Sequence, residues 1–244
     1  NKILECINRI DPNISNFVEI IISDDSKNKV INSHKNLYFK KSLKNFIYIH
    51  NKKSLGAVKN WNKLLSIARG DYIWLLHHDE FWNKEKNIIK YIIENIDKKK
   101  PNILILPVKT SKILRIFFLY FNLTHKHIIS RNLFISHLRN PKLLLKLNVI
   151  GPPSALIYKK NNLIYDRKLK FLVDIDFYIR LLKYFKSENI LLAKNNYNLI
   201  SSQNNKSSIT SSLKKEIKKL ITKEKVIISK KHKIKFNKVE EFLS

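Results

Sequence analysis

The sequence predicts an α/β fold: a mostly parallel sheet flanked by helices, with a helical insertion over 111–148 and a basic helical tail over 213–244. Two observations carry this. Apolar runs of strand length alternate with stretches of helical period between residues 2 and 107, an alternation that builds parallel sheets with crossover helices. Polar clusters of Asp, Asn, Ser and His also stand at the carboxyl ends of those runs, where open α/β sheets bind ligands.

Taken in order, residues 2–10 form an amphipathic helix ended by Asp11-Pro12. Residues 18–23 are a strand with Asp24-Asp25-Ser26 at its end, and 27–37 are polar with helical character. The next strand, 46–50, runs into Asn51-Lys52-Lys53-Ser54-Leu55-Gly56. A helix follows over 56–69, where Val58, Trp61, Leu64, Leu65 and Ala68 recur at three- and four-residue steps and give one apolar face. Gly70 closes it, since glycine takes the left-handed conformation without steric cost. Residues 71–76 read as a strand buried on both faces, and His77, His78, Asp79 and Glu80 stand at its tip. A helix over 84–97 and a strand over 103–107 complete the alternation.

Residues 111–148 break the pattern, mixing aromatics with Lys, Arg and His. They read either as a helical insertion lying on a membrane surface or as core packed under a loop. Ile150-Gly151-Pro152-Pro153-Ser154 makes a rigid turn before a strand at 155–158. Residues 166–171 are extended, and 174–185 are helical. The Ser/Asn-rich segment 201–212 reads as a linker, which divides the chain into a domain over 1–200 and the tail. The chain opens with a helix where such a sheet would open with a strand, and it has no methionine. Both features suggest a fragment that has lost a first strand.

Composition narrows the class. The 244 residues suffice for one α/β domain with a proper core. The net charge of +29 is compatible with nucleic acid, an anionic membrane or a phosphorylated substrate. A coding bias towards Lys, Asn and Ile would produce the same excess at tolerant surface positions. The single cysteine, Cys6, allows no internal disulfide, and no uncharged apolar stretch is long enough to span a membrane. Glycine is also scarce: only Gly56, Gly70 and Gly151 occur, against a usual content of about 7%. They bracket the polar clusters, which suggests backbone positions closed to other residues.

With these pieces the chain resembles the family 2 glycosyltransferases of the GT-A (Rossmann-like) fold, over about residues 1–200. Four ordered motifs carry the resemblance. Ile20 to Ser26 is similar to a strand ending in an Asp-Asp-Gly-Ser turn. Asn51 through Gly56 to Lys59-Asn60 is similar to an Asn…Gly…Arg-Asn segment. Gly70 to Glu80 is similar to a Gly-Asp-Tyr strand leading to an Asp-X-Asp metal motif. Val173 to Arg180 is similar to a late Glu-Asp motif that holds the catalytic base.

The resemblance implies roles. Asp24 and Asp25, with Asn51, Gly56, Lys59, Asn60 and His78, would contact the nucleotide-sugar, carboxylates accepting from base N–H or ribose hydroxyls. Asp79 would ligate Mn²⁺ or Mg²⁺ on the diphosphate, with His77 and Glu80 as further candidates. Asp174 would be the general base that takes the acceptor's proton during an inverting displacement. Lys59 replaces the usual arginine, supplying charge without two-pronged geometry. The implied setting is bacterial surface polysaccharide or lipopolysaccharide synthesis, cytoplasmic or peripheral on the inner face of the membrane, with a saccharide or lipid-linked acceptor. His77 in place of the first acid of the metal triplet weakens the case for Mg²⁺. Two other classes stay open: a basic nucleic-acid-binding protein, although no reading module is recognisable, and a catalytically inactive glycosyltransferase-like scaffold.

Overall fold

The structure, a computed structural model, describes residues 2–78, 80–82, 87–110, 131–194, 197, 199–201 and 217–235. Helix α1 (Lys2–Ile7) leads through a short 3-10 turn into β1 (Glu19–Asp24). Helix α2 (Ser33–Ser42) crosses to β2 (Asn45–His50), and the two strands pair in parallel from Glu19↔Asn45 to Asp24↔His50. Asn32 starts α2 by accepting the backbone N–H of Lys35, satisfying one of the donors every helix start leaves open. Helix α3 (Ala57–Ile67) returns the chain to β3 (Tyr72–Trp74), followed by β4 (Glu80–Trp82) and α4 (Ile88–Lys99).

Helix α4 stops at Lys100, which adopts φ 42, ψ 51, the left-handed cap that ends many helices. Strands β5 (Ile103–Ile105) and β6 (Val108–Thr110) precede α5 (Arg131–Arg139), β7 (Leu156–Lys159), α6 (Val173–Tyr184), β8 (Ile190–Leu192), β9 (Leu199–Ser201) and α7 (Ile217–His232). The central sheet has the order β3-β7-β5-β8, with β7 antiparallel to both neighbours and β5 parallel to β8. A smaller sheet, β4-β9-β6, lies beside it. Among the described residues, parallel and antiparallel pairs are equally represented, so the α/β architecture carries a mixed sheet. The segment at 166–171, expected as extended, is an irregular turn.

The core centres on β5 and α6. Ile103, Leu104, Ile105 and Leu106 are all buried, the pattern of a strand covered on both faces. Helix α6 buries most of its circumference, and Phe177 on it stacks against Tyr165 at 4.2 Å between centroids. The C-terminal basic helix is packed, not peripheral to the fold: Ile228 is fully buried, and Glu224 and His232 are buried beside it. Residues 111–130 of the expected insertion and most of the 201–212 linker lie outside the described residues.

The β1–β2 pair and the central sheet are separate among the described residues. Strands β1 and β3 belong to separate sheets, and Ile20 and Ile22 of β1, Ile73 of β3 and Leu75 just beyond it line one apolar slot. Leu4, Ile7 and Ile10 of the α1 region, Leu64 of α3, and Ile92 and Ile96 of α4 wall it.

Candidate active site

At its polar end the slot opens into a cleft; the whole has a volume of about 1760 Å³. Asp24, Asp25, Asn60, His77, His78, Glu80, Asn148 and Asp174 all line it. The acidic ends of three chain segments far apart in sequence therefore face one space.

On the β1 side the two aspartates are committed to the backbone. Asp24, buried, accepts the backbone N–H and hydroxyl of Ser26, the N–H of Val30 and the hydroxyl of Tyr48. Asp25 accepts the N–H groups of Leu55 and Gly56, the amide of Asn51 and the hydroxyl of Ser54, at 2.8–2.9 Å. A carboxylate offers about four acceptor positions, so both are saturated by the loops they organise. Burial pushes both carboxyls up, but these donors more than offset it and hold each below its ordinary value. The same contact pushes the Tyr48 phenol up to about 12, through its burial and the Asp24 charge.

Asn51 and Asn60 extend this scaffold. The Asn60 carbonyl accepts from the Ser23 hydroxyl and the Asn51 amide, and its own amide donates to the Ser23 carbonyl. Lys63, one turn beyond the expected Lys59, donates to the Asn51 carbonyl at 2.6 Å. Lys59 itself is exposed and does not line the cleft. Sequence reasoning missed Lys63 because adjacent turns of one helix differ only in which of them faces the loop. Gly56 takes φ 76, ψ 160, a backbone state essentially reserved for glycine, which accounts for one of the three glycines.

At the β3 tip the His77 ring stacks on Trp61, with centroids 4.9 Å apart and planes at 16°. Glu80, nearly inaccessible, accepts the His77 backbone N–H at 2.7 Å, and its other oxygen lies 3.7 Å from His77 Nδ1. His77 Nε2 is buried without a hydrogen-bond partner among the described residues. Asp79 lies outside the described residues. Among those described, no group of three His, Cys, Asp or Glu side chains is arranged to hold a metal ion. Glu80, one of the expected candidate ligands, is engaged by its own turn.

Asp174, half-buried, sits in the first turn of α6. Its Oδ1 accepts the N–H of Ile175 at 2.9 Å, and its Oδ2 faces the Asn148 amide at 3.4 Å. Burial dominates and raises its carboxyl to about 6, against the lowering effect of local N–H groups and of His77. That is the range in which a carboxylate is both ionised at neutral pH and basic enough to accept a proton. Asn148 was not anticipated. Its carbonyl accepts from the N–H groups of Ile150 and Gly151, so it ties the Gly-Pro-Pro turn to the Asp174 side chain.

Two residues on, Asp176 behaves oppositely. It is fully buried, yet it accepts from His232, Arg180 and Lys231 at 2.8–3.0 Å. Burial opposes its ionisation, but the His232 hydrogen bond and the Arg180 and Lys231 charges prevail and hold it at about 2. Asp174 alone of the pair faces the cleft with a raised affinity for a proton.

Residues 1–161 match the model of a family described as Glycosyl transferase family 2. Among solved structures, the crystal structure of S. aureus TarS 1-349 is similar, with a TM-score of 0.53 and 18% identity over 86% of this chain and 56% of that one. The same protein in complex with UDP-GlcNAc gives 0.56 and 18%, over 86% and 58%. A longer S. aureus TarS structure gives 0.57 and 16%, over 92% and 37%. The chain thus spans little more than half of TarS 1-349, and at these identities the likeness establishes the fold. No curated protein matches the chain.

Proposed function

The chain belongs to glycosyl transferase family 2, and from that premise we propose that it moves a sugar from a nucleoside-diphosphate sugar to an acceptor hydroxyl with inversion, Asp174 acting as general base. The observation that carries this reading is the position of Asp174: a carboxyl raised to about 6, facing the cleft that the Asp24–Asp25 turn and the His77–Glu80 turn also line.

The acceptor oxygen attacks the anomeric carbon from the face opposite the diphosphate. The carbon–oxygen bond to phosphate breaks, the acceptor proton passes to the Asp174 carboxylate, and the nucleoside diphosphate leaves with the bonding pair. Negative charge grows on that leaving group, so positive charge along the cleft stabilises the transition state. Lys170, which lines the cleft, supplies some of it. The nucleoside is proposed to lie against the loop 51–56 that Asp25 holds together, with Asn60 and His78 beside it. Because the similar TarS structure was solved with UDP-GlcNAc, a UDP-sugar is the first donor to test. A divalent cation would add charge at the diphosphate, and Asp79 is the side chain proposed to bind it.

We place the acceptor, a saccharide or lipid-linked sugar for surface polysaccharide, at an anionic membrane face. The net charge of +29 supports this. Among the described residues, no helix is long and apolar enough to cross a membrane. The saturation of Asp24 and Asp25 favours a second reading, a catalytically silent scaffold of the same fold.

A thermal-shift panel of UDP-, GDP-, CMP- and dTDP-sugars, with and without Mn²⁺, separates the two. A shift with one nucleotide class and release of its nucleotide supports transfer. No shift with any of them leaves the scaffold reading standing. Flotation with anionic and neutral liposomes tests the membrane placement, which equal binding to both would remove.

A further inference from the structure

We infer that Glu224, on the C-terminal helix α7, is a positioning residue that fixes the geometry of Asp174. The inference rests on the assignment of Asp174 as the base.

Glu224 is 1% exposed. Its carboxylate accepts three successive backbone N–H groups, from Lys170 at 2.6 Å, Phe171 at 3.0 Å and Leu172 at 2.7 Å. Those residues are the last before α6 begins at Val173, and all three line the cleft. A helix start leaves its first N–H groups without intrahelical partners, and here Leu172 at the cap position has no side-chain cap of its own. Glu224 therefore anchors the approach to the helix from a point 50 residues downstream of Asp174. Among the described residues no basic side chain pairs with it, so its buried charge is met by N–H dipoles and the helix N-terminus.

The same helix grips the other side of the base. Lys231 and His232 both bond Asp176, one residue beyond Ile175. Asp174 thus lies between two anchors supplied by α7, one before and one after it. A base misplaced by about 1 Å loses on the order of 100-fold in rate, so a rigid frame on both sides has direct catalytic value. Glu224 acts electrostatically as well: its charge is among those that raise the Asp174 carboxyl. His77, Tyr165 and Tyr178 also interact electrostatically with Asp174.

The test compares wild type, Glu224→Gln, Glu224→Asp and Asp174→Asn in the full chain. Three readouts are taken: hydrogen exchange at 170–175, the ¹³C carboxyl titration of Asp174, and nucleotide release from the sugar-nucleotide panel. Glu224→Gln removes the charge and one acceptor. It is expected to lose amide protection at 170–172, to lower the Asp174 titration midpoint, and to cut turnover about tenfold or more with donor affinity unchanged. Glu224→Asp keeps the charge but shortens the reach, so it should loosen the amides while leaving the midpoint near wild type. That separates geometry from charge and replaces Glu224→Gln should the latter fail to fold. An Asp174 midpoint and 170–172 protection unmoved in both variants would overturn the inference, whichever donor turns over. If Asp174→Asn turns over as wild type does, the base assignment fails instead, and the exchange and titration data still report on the clamp.

Discussion

The carboxylate of Asp25 accepts the backbone N–H of Gly56 at 2.9 Å, and Gly56 meets it at φ 76, ψ 160. The contact closes the loop that joins β2 to α3. No atom lies within 4 Å of where a Gly56 side chain would begin, so only the backbone forbids one. Gly56→Ala is therefore expected to cost about 1–3 kcal/mol through strain alone. Asp25→Asn should cost a similar amount, because an NH₂ then faces donors that need an acceptor. Urea midpoints measure both. Each variant should also lose the thermal shift given by the sugar nucleotide. A Gly56→Ala chain as stable as wild type would show that the loop can take another path.

Asp174 should trade stability for activity. Its folded carboxyl, at about 6, lies above its unfolded value, so ionisation is disfavoured in the native state. The cost is absent below about pH 4, grows as pH rises towards 6, and is complete above it. Allowing for its partial exposure to cleft water, it amounts to about 2 kcal/mol. Asp174→Asn should accordingly be more stable than wild type at pH 7.5, with no gain at pH 3.5. Turnover by wild type should rise through a midpoint near 6, and the variant should show none. Equal melting temperatures at pH 7.5 would count against the raised carboxyl.

Asp176 sets the acid limit. Its folded value, about 2, lies below the unfolded one, so its contribution is present above about pH 4 and is lost as pH falls towards 2. The difference is worth about 2 kcal/mol. Breaking the cluster from the basic side is harsher: Arg180→Met leaves a buried carboxylate short of a partner and should cost about 3 kcal/mol at pH 7. Urea unfolding from pH 7 to 2.5 checks both. The acid-dependent loss should shrink in Asp176→Asn, whatever that variant's stability at neutral pH.

These contrasts mark what the sequence could and could not convey. Periodicity located β1, β2, α3, β5, β7 and α6 to within a residue or two at most ends, because each has a strong apolar pattern and a capping or turn residue beside it. It could not show that β7 runs antiparallel between β3 and β5, since those pairing partners lie about 85 and 50 residues away respectively. The meeting of Asp24, Asp25, Glu80 and Asp174 on one cleft followed from motif order. Their hydrogen bonds did not: nothing local in the sequence reveals that the N–H groups of Leu55 and Gly56 donate to Asp25. Glu224 did leave a trace. It falls four residues after Leu220 and four before Ile228, an acid on the apolar stripe of a lysine-rich helix, and a charge placed so must find a buried partner.

Asn62 shows how such long-range polar contacts hold the cleft's frame. It is buried on α3, and its amide clasps the backbone of Tyr165 from both sides: Nδ2 donates to the carbonyl at 2.9 Å, and Oδ1 accepts the N–H at 2.8 Å. Tyr165 in turn stacks on Phe177 of α6 and meets Trp61 edge-on at 5.2 Å. One side chain thus fastens α3, which carries Asn60 and Trp61, to the segment that leads towards Asp174. Asn62→Leu removes both bonds and strands a buried N–H and a buried carbonyl, an expected loss of about 3 kcal/mol. Asn62→Asp keeps the acceptor for the N–H but sets a carboxylate oxygen against the Tyr165 carbonyl. At pH 7 it should be at least as damaging as Asn62→Leu. As pH falls and the new carboxyl takes a proton, it regains a donor for that carbonyl, so the deficit of Asn62→Asp should narrow below about pH 5 while that of Asn62→Leu stays constant. Parallel urea series at pH 7 and pH 4.5 decide the matter; a deficit for Asn62→Asp that does not change with pH would mean that the clasp is not what joins the two halves of the site.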